Sequence, residues 1–74
     1  MKSNISHVDI MGKGRFYSVH YFTGTERWFT KDALPLSVVR FLKAAPAEKM
    51  FVGKYPVIDK NRNVIEKTIY RVIA

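Results

Sequence analysis

Apolar and polar positions alternate along two stretches of this chain, and between them the apolar positions fall on a helical period. Arg15 to Phe22 splits into two faces: Arg15, Tyr17, Val19 and Tyr21 on one, Phe16, Ser18, His20 and Phe22 on the other. Thr23-Gly24-Thr25 supplies a turn, and Glu26 to Thr30 returns through Arg27, Trp28 and Phe29, so Arg15–Lys31 is predicted to be a hairpin. Both faces of this hairpin carry aromatic side chains, so alternation leaves open which face is buried. From Lys31 to Ala45 the apolar residues Leu34, Val38, Phe41, Leu42 and Ala45 form one stripe, which predicts a helix capped at Asp32 and stopped by Pro46.

A second hairpin follows. Met50-Phe51-Val52 opens a strand that runs past Gly53 and Tyr55 to Val57-Ile58, with Pro56 marking it as an edge or bulged strand. Asp59-Lys60-Asn61-Arg62-Asn63 is turn chemistry. Val64 to Ile73 is a long β-branched strand, expected to be central at its start and an edge at its end. Residues 1–14 carry only a weak pattern: Ile5, Val8 and Ile10 suggest at most a short edge strand or a loosely ordered N-terminal arm. Gly12-Lys13-Gly14 then breaks regular structure as a turn. The expected fold is a single α+β domain, β-β-(β)-α-β-β, an antiparallel sheet of four to five strands with one helix packed on one face.

Composition narrows the function classes. Seventy-four residues allow one domain, near the lower size limit for an unstapled core, and the absence of cysteine excludes disulfides, thiolate metal sites and a cysteine nucleophile. No apolar run reaches the ~18 residues of a membrane-crossing helix. A cytoplasmic protein is expected, with no membrane partner. Thirteen Lys and Arg against six Asp and Glu give a net charge of +7, and a basic balance of this size points to nucleic acid or to an acidic protein surface. The second hairpin is the most basic segment, with Lys49, Lys54, Lys60, Arg62, Lys67 and Arg71 against Asp59 and Glu66.

Catalytic chemistry finds little support. His7 and His20 each sit in strand-like apolar runs, no serine lies on a nucleophile elbow, and the acids are scattered singly without helical i, i+3 or i+4 pairs. The chain is expected to be a non-enzyme with no cofactor, no metal site and no small-molecule substrate. Nucleic-acid binding has the better physical grounds, since bases stack on exposed aromatic rings and phosphates need Lys and Arg around them. On that reading Tyr17, Tyr21 and Trp28 stack or anchor, while Arg15, Arg27, Lys31, Lys60, Arg62, Lys67 and Arg71 contact phosphates.

The run GRFYSVHYF…RWFTKDA with a helix after it resembles the three-strand-plus-helix DNA-binding domains of phage integrases and of plant transcription factors. The resemblance covers Gly14 to about Ala45, less than half the chain, and does not reach the second hairpin. It implies a sheet laid in a DNA groove. From the net charge of +7 and the interleaved aromatics, the leading expectation is a small basic regulatory protein that binds DNA or RNA through a sheet surface and a basic hairpin. The alternative is a phage-type protein that binds and inhibits or redirects a host complex such as RNA polymerase, by docking on an acidic surface of nucleic-acid-processing machinery. Tyr, Trp and Arg serve both protein interfaces and stacking platforms, so composition does not separate the two.

Overall fold

The strand with the weakest pattern stands at the centre of the sheet. In the computed structural model, which describes residues 4–74, Ile5–Met11 forms β1 and pairs on both sides, with β2 (Phe16–Tyr21) and with the C-terminal β5 (Val64–Ile73). β3 (Glu26–Thr30) and β4 (Met50–Ile58) complete one antiparallel five-stranded sheet in the order β3-β2-β1-β5-β4. One α-helix, α1 (Leu36–Ala44), accompanies it, an α+β architecture. Among the described residues no helix is long and apolar enough to cross a membrane.

A bulge explains why β1 is weakly patterned. Ile5 lies opposite Tyr21 and His7 opposite His20, leaving Ser6 as one extra residue on β1. Once Ser6 is passed over, Ile5, Val8 and Ile10 all face α1, while His7 and Asp9 face away. Val8 sits opposite Val19 on one side and Val72 on the other, and all three are fully buried. Tyr17, Tyr21 and Phe29 pack against this core from the same face. The odd-numbered face of the first hairpin is thus the covered one, and Phe16, Ser18, His20 and Trp28 belong to the open face.

The helix is shorter than its apolar stripe. Lys31–Ala33 forms a 3-10 turn, Leu34 is extended, and α1 begins after Pro35, whose carbonyl accepts from Val38 and Val39. The cause is Pro35 itself, whose ring drives the preceding Leu34 out of helical geometry, so Asp32 caps nothing. Pro46 imposes the same extended geometry on Ala45 at the other end. Val38 is fully buried in the core, with Leu34, Phe41 and Leu42 packed around it.

β5 reverses its expected role. It pairs with both neighbours only at its end, where Tyr70–Ile73 meets β1, and its start is held by β4 alone. From Gly53 and Ile69 outward the sheet narrows to a two-stranded arm, consistent with overall dimensions of 46 × 25 × 23 Å. Pro56 is accommodated because β4 is an edge strand. The arm closes in a turn where Asp59 Oδ1 accepts from the N–H groups of Asn61 and Asn63, and Arg62 adopts a left-handed φ of 63°.

Candidate functional site

The antiparallel register sends the β1–β2 turn, the end of β3 and the β4–β5 arm toward the same end of the molecule, since Ile10 lies opposite Tyr70 and Phe16 opposite both Met11 and Thr30. Five of the cations expected to contact phosphate gather there. Arg15 and Lys31 lie at the shoulder, joined by a backbone hydrogen bond from the Lys31 N–H to the Arg15 carbonyl of 3.0 Å. Lys67 stands on the arm opposite Tyr55, and Lys60 and Arg62 occupy the tip. Lys54, on the arm, and Lys13, held at a left-handed φ of 58° in the β1–β2 turn, join the same end. Lys13 was legible only as part of a turn; the Gly-Lys-Gly spacing was the signal.

The remaining expected contacts lie elsewhere. Arg27 sits at the far end of β3, beside Tyr21, Thr23 and Thr25. Arg71 is committed to Asp9: its Nε donates to Oδ1 at 2.6 Å and a terminal N–H to Oδ2 at 3.0 Å. Among the described residues it is the one lysine or arginine held in an ion pair. Tyr17 and Tyr21 are half-buried, packed against the core from the helix side, so less of either ring is open than of Trp28. Trp28 is 60% exposed on the uncovered face, and Phe16 is exposed beside it.

That uncovered face holds a polar constellation absent from the expected site. His7 lies directly opposite His20, Asp9 opposite Ser18 and Arg71, and His20 opposite Glu26. The two imidazoles stack with centroids 4.1 Å apart and planes 14° from parallel. Ser18, buried, donates to Glu26 Oε1 at 3.1 Å and lies 3.0 Å from His20 Nε2. Because its one proton goes to Glu26, the Ser18 oxygen accepts from the ring, which assigns the hydrogen to Nε2. Asp9 is only 6% exposed, and its Oδ2 lies 3.5 Å from the same Nε2. A signal did exist: His7-x-Asp9 and Ser18-x-His20 each have the i, i+2 spacing that puts two side chains on one face of a strand.

Electrostatics follow from the packing. Burial pushes the Asp9 carboxyl up, but the Arg71 hydrogen bonds and charge, with smaller help from both histidines, bring it below its ordinary value. Asp9 in turn raises the Arg71 guanidinium. Burial, then the neighbouring His20, lowers the His7 imidazole, favouring its neutral form. A Ser-His-Asp relay is not formed, because one nitrogen of His20 faces both Ser18 and Asp9 where a relay needs two. At the opposite end from the arm, a groove of about 660 Å³ runs between α1 and the sheet along Ile5, Tyr21 and Phe41, with Arg40 its single charged side chain among the described residues.

No family model, curated protein or solved structure matches the chain.

Proposed function

We propose that this chain is a small nucleic-acid-binding regulatory protein that grips DNA or RNA with its arm end. The observation that carries the reading is the gathering of Lys13, Arg15, Lys31, Lys54, Lys60, Arg62 and Lys67 around a protruding two-stranded ribbon, none of them held in an ion pair. A two-stranded ribbon fits the major groove of duplex DNA, and unpaired cations on its flanks and shoulder suit the phosphates on either side. Arg62 reinforces this: a non-glycine residue in left-handed geometry costs roughly 1 kcal/mol, a cost accepted at functional positions.

The test is a titration with short single- and double-stranded DNA and RNA at two salt concentrations. Five phosphate contacts give a logarithmic salt slope of about −4.5, so affinity should fall on the order of 10² to 10³-fold between about 50 and about 200 mM salt. Replacing Lys60, Arg62 and Lys67 together with Gln should flatten that slope. No binding even at low salt rejects the reading.

A second reading, docking on a protein of the nucleic-acid-processing machinery, draws on a different observation. The arm exposes Ile58 at 71% and Val64 at 70%, Val52 is exposed on the stretch of β4 that leads into it, and apolar surface of this kind is typical of protein contacts. Capture of one stoichiometric partner after nuclease treatment, abolished by Ile58→Lys, would favour docking over nucleic acid.

A further inference from the structure

We propose that His7, Asp9 and His20 form a binding site for a divalent first-row transition-metal ion on the open face of the sheet. The three side chains each offer one ligand atom, and these atoms lie within 4.8 Å of one another. Metal–ligand bonds of about 2.0–2.2 Å set tetrahedral ligands about 3.4 Å apart. The pair formed by Asp9 Oδ2 and His20 Nε2 already stands at 3.5 Å. Binding then requires His7 to close in by turning its ring out of the stack with His20, and the half-buried ring is held otherwise only by a 3.3 Å contact of its Nδ1 with the Ser6 hydroxyl.

The scaffold is suited to hold such a set. His7 and Asp9 stand two residues apart on the central strand, and His20 lies directly across from His7 on β2, so three backbone positions are fixed by one ladder. Outer contacts orient the donors. Arg71 fixes the Asp9 carboxylate, which retains lone pairs beyond the two that Arg71 uses. For His20 to bind metal through its Nε2 lone pair the ring takes the tautomer with its hydrogen on Nδ1, and Ser18 keeps its bond to Glu26 when its contact with Nε2 is given up. Two imidazole nitrogens and one carboxylate oxygen suit Zn²⁺, Co²⁺, Ni²⁺ or Fe²⁺ and not Mg²⁺ or Ca²⁺, which take oxygen ligands. Three protein donors leave a fourth position for water or a ligand. The Arg71 charge beside Asp9 weakens the site, so micromolar affinity is expected, not the tighter binding of a closed four-ligand centre.

His7 and His20 are the only histidines in the chain, which simplifies the experiment. Untagged protein is titrated with Zn²⁺, Co²⁺ and, as a comparison, Mg²⁺, by calorimetry and by Co²⁺ visible absorption. One ion per chain is expected, with intensified tetrahedral Co²⁺ bands, no response to Mg²⁺, and a tenfold or greater loss of affinity in His7→Asn and in His20→Asn. In the unmodified protein, ring-nitrogen NMR signals of both histidines should shift together at one equivalent of Zn²⁺, a readout that does not depend on how the variants fold. Absence of binding below millimolar Zn²⁺, binding that survives both variants, or a shift of one histidine without the other would each overturn the site.

Discussion

Asp9 and Arg71, 62 residues apart in the chain, face each other across β1 and β5, and two side-chain hydrogen bonds close that backbone pairing on the open face. Asp9 is nearly buried whereas Arg71 is half exposed, so the two members should respond unequally to removal. Arg71→Met leaves a desolvated carboxylate without its cation and should cost about 2 kcal/mol, discounted from the buried-pair range for the exposure of Arg71. Asp9→Asn leaves the guanidinium free to reach water and should cost less. Urea denaturation of both variants checks the ordering; equal losses would contradict it.

Acid should weaken the fold in two stages. The unfolded chain binds a proton at Asp9 near pH 4, above the lowered folded value, so the Asp9 contribution is complete above about pH 4 and disappears as pH falls through the folded value. His7 has the same sign, because its folded pKa is also lowered: its contribution is complete above about pH 6.5 and fades as pH drops toward the folded value. Melting temperatures recorded in chelator from about pH 8 to about pH 3 should decline first in the histidine range and then in the carboxylate range. His7→Asn should remove the first decline and Asp9→Asn should shrink the second.

The helix offers a contrast between neighbours. Val38 is fully buried and Leu36, two residues earlier on α1, is mostly exposed. Val38→Ala should cost about 2 kcal/mol through lost burial and the cavity left behind. Val38→Asp should abolish folding, because an unpaired charge would enter the core. Leu36→Asp should leave the circular dichroism spectrum and melting temperature nearly unchanged.

At the hairpin tips, backbone geometry sets the outcome of glycine exchanges. Arg62→Gly relieves a left-handed residue and should stabilise by roughly 1 kcal/mol while weakening nucleic-acid affinity, so the two readouts should move in opposite directions. Gly12→Ala does the reverse at the β1–β2 turn: φ is +62° and an added Cβ would lie 2.8 Å from the Phe16 ring, which predicts a loss of about 1–2 kcal/mol.

Much of the local structure was legible. The β4–β5 hairpin and its Asp59–Asn63 turn, the Thr23-Gly24 turn and the apolar stripe of α1 all follow from residue spacing. β1 was obscured by a single residue: with Ser6 counted, Ile5, Val8 and Ile10 break the two-residue period, and with Ser6 bulged out the period is restored. Deletion of Ser6 should therefore keep both faces of β1 intact, and the variant should fold. The His7–Asp9–His20 cluster escaped notice for another reason. Its members come from two strands whose register only the folded sheet defines, and helical i, i+3 or i+4 spacing does not mark residues that share one face of a strand. Tyr17 and Tyr21 were indistinguishable from open aromatics until the covered face of the hairpin was known.

The contact between β1 and β5 spans only four residue pairs, His7 to Ile10 with Tyr70 to Ile73. Outside it, the backbone amides of Lys54, Tyr55, Val57, Ile58 and Val64–Thr68 depend on a single partner strand, a pairing that is marginal in water without further cover. Hydrogen exchange should accordingly divide the molecule, with slow amides in β1, β2 and the last residues of β5 and fast ones along the arm. Opening of the arm then proceeds without unravelling the body, so the arm can take its final shape on whatever it grips while the rest of the sheet stays closed.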